Sequence, residues 1–145
     1  TIRKLEMFLE ENSFKSISFM HNNSFRLGRY LLCGTRGWNA PGDEGFGEED
    51  RKIYNRELSR LENSLKSAGR AEGDILVAAL HFPPFNSRQQ PAGFVDIMKK
   101  YGVDICIYGH LHADGLKNAV EGEVEGIYFK LVSADYLRFK PLKLP

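Results

Sequence analysis

Two apolar runs, each of which leads directly to a histidine, constrain the fold of this chain more than any other feature. Residues 75–80 run into His81, and residues 103–108 run into Gly109 and His110. Apolar runs of this length that are bounded by turn residues predict strands buried on both faces of a sheet. Because ligands bind at the carboxyl ends of such strands, we expect a ligand site at the edge where these histidines lie.

The spacing of the histidines favours a metal site. His112 lies two residues after His110, and side chains two apart in an extended chain point the same way, with their Cα atoms roughly 6–7 Å apart. Such a pair can bind one metal ion, or two neighbouring ions about 3.5–4 Å apart. Imidazole is the side chain most often used to bind transition metals. We therefore predict that His81, His110 and His112 bind metal, although a histidine taken alone is more often an ordinary core or surface side chain.

Both histidine segments resemble motifs of the calcineurin-like metallophosphoesterases. The sequence GHLH at residues 109–112 is similar to the GHxH motif of that family, and LHFPP at residues 80–84 is similar to the isolated histidine segment that precedes it. A third segment, LLCGTRGWN at residues 31–39, resembles a bacterial subgroup whose substrate is unassigned. The resemblance extends over residues 1–137 and implies an α/β fold, the C-terminal half of a β-sandwich flanked by helices.

The resemblance also implies a reaction, the metal-dependent hydrolysis of a phosphoester. In this family two divalent ions activate a bridging water, and the resulting hydroxide attacks phosphorus in line. By motif position, His81 and His110 would bind one ion and His112 the other. Manganese, iron or zinc would suit mixed imidazole and carboxylate ligands. The implied partner is a phosphorylated small molecule or another phosphoester.

Three N-terminal motifs of the family, Asp-x-His, Gly-Asp-x-x-Asp and Gly-Asn-His followed by Asp or Glu, do not occur in this chain. They would supply the bridging aspartate, the remaining ligands and the histidine that aids the leaving group, so the sequence does not identify catalytic residues. We therefore expect residues 1–145 to be a single domain, the C-terminal portion of a longer metallophosphoesterase. By itself this portion is expected to bind metal weakly or partially and to be inactive or nearly so.

Two other functions stay open. The chain can be a non-catalytic module that binds a partner or dimerises, because an uncovered sheet edge or face promotes association. It can also be a structural domain in which the three histidines surround one zinc ion, although structural zinc sites are usually four-coordinate and rich in cysteine.

Residues 34–47 contain five glycines and one proline and predict a long loop, and long ordered loops are often functional. A guanidinium pairs bidentately with phosphate oxygens and an indole offers a stacking wall, so we predict that Arg36 and Trp38 bind substrate. The alternative is a tryptophan packed at the edge of the core and an arginine in a surface ion pair. Asp43 and Glu44 can support the ligands or remain solvated loop acids.

Five further residues carry weaker predictions. His21, near a predicted turn, is expected to be an ordinary surface histidine because it has no visible partner. Asp114 and Asn86 lie near the motifs and can orient imidazole rings. Cys33 and Cys106 lie within apolar runs and are expected to be buried free thiols, which fits a reducing, cytoplasmic location.

Charge and hydropathy exclude several classes of partner. The chain has 20 basic and 19 acidic residues and a net charge of +1, so it lacks the electrostatic footprint of a protein that binds nucleic acid or an anionic membrane. No apolar run reaches the roughly 18 residues that a transmembrane helix needs.

Hydrophobic spacing predicts an alternating order of helices and strands. Helices are predicted at residues 1–11, 48–68 and 93–101, and strands at residues 16–21, 29–33, 75–81 and 103–108. Two antiparallel strands are predicted at residues 126–133 and 136–140. This order is typical of a layered α/β or α+β domain, and 145 residues are enough for one such domain.

Overall fold

The structure, a computed structural model, describes residues 2–144. The helices are α1 (Ile2–Glu11), α2 (Glu48–Lys66) and α3 (Gly93–Lys100), with a 3-10 helix at Ala113–Asn118. The strands are β1 (Phe25–Leu27), β2 (Tyr30–Thr35), β3 (Ile75–Leu80), β4 (Ile105–Tyr108), β5 (Gly122–Val124) and β6 (Ile127–Leu131). The three predicted helices and the strands that lead to the histidines are confirmed within a few residues, and Thr1 lies outside the described part.

The six strands form one sheet in the order β1-β2-β3-β4-β6-β5. Strands β2, β3, β4 and β6 are parallel, and β1 and β5 pair antiparallel at the two edges. The predicted α/β class, with a sheet flanked by helices, is confirmed, and within residues 2–144 the strands form a single sheet, so the β-sandwich stays a prediction. Since the four central strands are parallel, their carboxyl ends share one edge of the sheet.

The core lies between one face of the sheet and the helices α2 and α3. Alternate residues of the central strands are fully buried there, among them Cys33, Ala78, Cys106 and Phe129. The helices contribute Tyr54, Leu61, Leu65, Phe94, Val95 and Met98. Both cysteines are buried and free, as predicted, while the reducing compartment stays a prediction. Among residues 2–144, no helix combines the length and the apolar character that crossing a membrane requires.

The predicted strand at residues 16–21 is wrong. The first strand of the described chain is β1, and residues 16–21 form no strand. The side chain of Asn23 accepts a hydrogen bond from the backbone N–H of His21 and donates one to the carbonyl of Phe19, at 2.6 and 3.1 Å. Such side-chain bonds compete with a sheet ladder, and Asn22 adopts a left-handed φ of 60°.

The predicted antiparallel pair at the C-terminal end is also wrong. Strand β6 lies within the predicted strand at residues 126–133, and it is parallel to β4. Its antiparallel partner is β5, a strand that was not predicted from the sequence. Residues 136–140 form turns. Arg138 and Phe139 have φ values of 51° and 55°, in the left-handed region that a strand cannot use.

Candidate functional site

The carboxyl edge of the parallel strands gathers most of the predicted site residues. The backbone N–H groups of His81 and Phe82 donate to the carbonyl of Arg36, at 3.1 and 2.9 Å. The N–H of Gly109 donates to the carbonyl of His81 at 3.2 Å. These bonds continue the sheet pairing beyond the last strand residues, so the segments that follow β2, β3 and β4 are held side by side.

His81 and His110 converge at this edge. Nδ1 of His110 lies 3.1 Å from Nε2 of His81, and the ring centroids are 5.0 Å apart. Two imidazole nitrogens bound to one cation at about 2.0–2.1 Å would have a similar separation. His110 has a φ of 72°, a conformation that costs a non-glycine residue energy and is enriched at functional sites. Desolvation lowers the pKa of His110, and the neighbouring His81 and His112 lower it further.

His112 is held separately. Its Nδ1 lies 2.9 Å from Oδ1 of Asp135, and Oδ2 of that carboxylate accepts the backbone N–H of Ala113 at 3.3 Å. The hydrogen bond from His112 lowers the pKa of Asp135. A carboxylate on one ring nitrogen is the usual support of a metal-binding histidine, because it orients the ring and leaves the other nitrogen for the ligand.

These side chains fit part of a transition-metal site. The donors are imidazole nitrogens, which suit manganese, iron and zinc. Two of them converge and the third is oriented by a carboxylate. No group of three or more His, Cys, Asp or Glu side chains in residues 2–144 is arranged to hold a metal ion. A further donor is therefore needed for a complete site, and a single zinc ion held by all three histidines would require His112 to move.

A cavity of about 160 Å³ lies beside His110. Its walls include Trp38, Phe82, Phe85 and Leu111, so it is largely apolar, as pockets for small molecules usually are. The Phe82 ring stacks on His110 with a centroid distance of 4.1 Å, and Trp38 packs against Phe82 at 5.1 Å. The cavity thus has aromatic walls next to one converging imidazole.

Asp43 and Asn86 also line this cavity, but their polar atoms hold the loops together. Oδ2 of Asp43 accepts the N–H of Ala40 at 2.7 Å, and Oδ1 accepts the N–H of Ser87 at 2.6 Å. Oδ1 of Asn86 accepts two backbone N–H groups of its own loop, each at 3.0 Å. The side chain that orients an imidazole is Asp135, rather than Asp114 or Asn86.

Arg36 and Trp38 face different surroundings. The guanidinium of Arg36 lies over the Trp38 ring, 4.4 Å from its centroid. Trp38 lines the cavity beside His110, packs against the core and donates its indole N–H to Asp50 at 2.9 Å. Arg36 does not line that cavity, and its Nη2 lies 4.0 Å from a carboxylate oxygen of Glu57. Of these two side chains, the structure therefore brings only that of Trp38 to the cavity beside His110.

Asp135 is the site residue that the sequence analysis missed. It follows β6, whose carboxyl end lies at the same edge as those of β3 and β4 because β6 pairs parallel to β4. The acid after an apolar run was a usable signal, but the prediction placed Asp135 in a turn between two antiparallel strands. It did not say that the first of these strands would lie beside β4, so nothing brought Asp135 to the histidine edge.

Comparison with protein families gives one match. A family model described as calcineurin-like phosphoesterase matches residues 5–114. That span includes the three histidines, Arg36 and Trp38, and it ends before Asp135. No curated protein and no solved structure matches the chain.

Proposed function

This chain belongs to the calcineurin-like phosphoesterase family, and on that premise we propose that it serves in metal-dependent hydrolysis of a phosphoester. One observation supports the proposal above all: the convergence of His81 and His110, 3.1 Å apart, at the carboxyl edge of a parallel sheet. The proposed substrate is a phosphorylated small molecule or another phosphoester.

The proposed site uses two divalent ions, of manganese, iron or zinc. Divalent ions supply an activated water and stabilise the negative charge that develops on the phosphoryl oxygens. Nε2 of His81 and Nδ1 of His110 are the proposed ligands of one ion. His112, oriented by Asp135, is the proposed ligand of the other, because the carboxylate leaves one of its ring nitrogens free for a metal.

The apolar cavity is the proposed place for the non-phosphate part of the substrate. Trp38 and Phe82 would contact that part and keep water away from the histidine edge. Arg36 would act on substrate binding indirectly, because its guanidinium lies over the indole and would keep Trp38 in place.

We also propose that the 145-residue chain alone binds metal weakly and hydrolyses phosphoesters at or near background. Within residues 2–144 only two imidazoles converge, and no carboxylate of these residues joins them. Asp43, the acid that lines the neighbouring cavity, is engaged by two backbone N–H groups. Two neutral ligands hold a divalent ion less firmly than a set that includes anionic oxygens.

A titration with Co²⁺, followed by its visible absorption, tests the proposed ligands. His81→Ala and His110→Ala should each weaken Co²⁺ binding by about tenfold or more, while His21→Ala, which alters an exposed histidine that does not line the cavity beside His110, should not. Equal affinity in all three variants would contradict the proposal. Hydrolysis of p-nitrophenyl phosphate in excess Mn²⁺ that disappears in His110→Ala would overturn the proposed inactivity of the chain alone, while supporting the reaction.

A second candidate function is self-association. The amphipathic helix α1 has no buried residue, and five apolar side chains of residues 2–17 are each 49–54% exposed: Leu5, Met7, Phe8, Phe14 and Ile17. Exposed apolar patches of this kind mark association surfaces. We propose that a second copy of this chain covers the exposed apolar patch. Sedimentation of the wild type and of Phe8→Ser tests this: a mass that rises with concentration only in the wild type supports it, and a monomer throughout argues against it.

A further inference from the structure

A second cavity, of about 130 Å³, shares no lining residue with the cavity beside His110. It lies between the carboxyl end of β2, helix α2 and the turn at residues 20–22. Its polar lining comes from Arg36, Arg60, Glu57, Thr35, His21 and Asn22. The proposed metal site uses none of these side chains as ligands, so the cavity requires its own explanation.

The charges around this cavity do not balance. Glu57 is fully buried, and its two carboxylate oxygens are engaged by Arg60 Nη1 at 2.6 Å and Thr35 Oγ1 at 2.5 Å. Arg56 Nε and Arg36 Nη2 lie farther from the same carboxylate, at 3.5 and 4.0 Å. Three guanidiniums thus surround one carboxylate, and the described residues give them no other acidic partner. Of these three, Arg36 and Arg60 line the cavity, so the charged side chains of its described lining carry one net positive charge.

Among the described residues, the Arg36 guanidinium donates no hydrogen bond. At 4.0 Å it donates no hydrogen bond to Glu57, and a guanidinium carries five N–H donors. Its side chain is 48% exposed and stacks on Trp38 at 4.4 Å. The stack restricts the guanidinium before any ligand arrives, which lowers the entropy lost on binding. Arg60 is also partly exposed, and it uses one N–H on Glu57.

We propose that this cavity binds a phosphate-type dianion, with Arg36 and Arg60 as its ligands. Guanidinium forks match the oxygens of phosphate, and paired charge-assisted bonds are the strong ones. A phosphoryl group presents three acceptor oxygens, so it can accept hydrogen bonds from Arg36 and Arg60 at the same time. Inorganic phosphate and the phosphoryl group of a small monoester share this chemistry.

Binding of inorganic phosphate to the metal-stripped 145-residue chain tests the site, measured by calorimetry at low ionic strength. Saturable binding is expected, and Arg36→Gln should weaken it about tenfold, since charge-assisted bonds are lost. Arg56→Gln is the matched control, because it removes the same charge beside the same carboxylate but Arg56 does not line the cavity. It should change the affinity less than about threefold.

Several outcomes would overturn the proposal. The site is wrong if no saturable binding occurs up to about 10 mM phosphate, or if both variants lose affinity equally while their melting temperatures match the wild type. His110→Ala should retain phosphate binding, and loss of binding in that variant would assign the anion to the histidine edge. A negative result in these phosphate-binding measurements would not change the expected outcome of the Co²⁺ titration, which tests the proposed metal ligands separately.

Glycerol phosphate, measured beside inorganic phosphate, distinguishes the two sources of the anion. If glycerol phosphate binds more tightly than inorganic phosphate and Arg36→Gln abolishes this binding, the cavity is a site for a phosphorylated molecule. If inorganic phosphate binds more tightly and Arg36→Gln abolishes that binding, the cavity is a site for phosphate itself. Binding of the ester that is unchanged in Arg36→Gln would contradict the assignment of this cavity.

Discussion

The imidazole of His110 stacks on the ring of Phe82, with centroids 4.1 Å apart and planes inclined by 30°. Phe82 directly follows His81, so the strand end that supplies one converging imidazole also supplies the ring that orients the other. Trp38 packs against Phe82 with the ring planes inclined by 45°, and the Arg36 guanidinium lies over the Trp38 ring. Through these contacts, residues of the cavity beside the histidines touch Arg36, which lines the arginine-lined cavity.

Replacing Phe82 by Leu should weaken Co²⁺ binding at the histidine edge by about two- to tenfold. Stacked aromatic pairs contribute roughly 0.5–1.5 kcal/mol beyond burial, and that energy now favours one orientation of the His110 ring. Phe46→Leu is the control, because Phe46 packs against Tyr54 at 6.0 Å and lies outside the histidine cavity. An equal change in both variants would mean that the stack does not orient His110.

Two buried serines should respond in opposite directions to replacement by Ala. Oγ of Ser133 is buried and has no hydrogen-bond partner within the described chain, and a buried hydroxyl without a partner costs about 1–3 kcal/mol. Oγ of Ser64 donates to the carbonyl of Asn23 at 2.6 Å and accepts the N–H of Gly34 at 2.9 Å. Urea unfolding should show Ser133→Ala neutral or up to about 1 kcal/mol more stable, and Ser64→Ala about 1–3 kcal/mol less stable. Destabilisation of both to the same degree would show that Ser133 has a partner.

Gly34 and Gly109 should differ sharply in their tolerance of a methyl group. A Cβ on Gly34 would clash with the backbone carbonyl of Ala79 on the neighbouring strand, while a Cβ on Gly109 would meet nothing nearer than the His81 carbonyl at 3.8 Å. Gly34→Ala is expected to reduce the free energy of unfolding by about 3 kcal/mol or more, and Gly109→Ala by less than about 1 kcal/mol. Thermal unfolding followed by circular dichroism measures both. A normally stable Gly34→Ala variant would mean that β2 and β3 separate easily.

Acid should remove a stabilising contribution of Asp74. The hydrogen bonds from Arg26 and from the N–H of Ala71 lower the pKa of this carboxyl from 3.8 to about 2. A carboxyl whose pKa is lower in the folded state stabilises the protein fully above its unfolded pKa, and the contribution disappears as the pH falls from about 4 towards 2.

The melting temperatures of wild type and Asp74→Asn should therefore differ most above about pH 5 and approach each other near pH 2. Glu72→Gln, which alters an exposed acid on the same turn that forms no ion pair among the described residues, should leave the melting temperature nearly unchanged at each pH. A constant difference between wild type and Asp74→Asn from pH 6 to pH 2 would contradict the assigned role of this carboxyl.

Local pattern predicted the central part of the fold well. The apolar runs before His81 and Gly109 form β3 and β4, and the spacing of Leu61 and Leu65 places the buried face of α2. These predictions hold because burial on both faces of a strand, or on one face of a helix, is written into adjacent residues. The short outer segments carried too little pattern, and at residues 16–21 and 136–140 the bonds of Asn23 and left-handed backbone decided instead.

The sequence by itself determined that two histidine segments follow buried parallel strands, because hydrophobic runs and the residues that end them are local properties. Only the tertiary structure decided that His81 and His110 converge while His112 turns to Asp135, and that Trp38 and Arg36 face different cavities. These relationships depend on the parallel pairing of β6 with β4 and on the packing of the loop after β2 against α2. Both join residues distant in the chain, and no local periodicity encodes which distant partners meet.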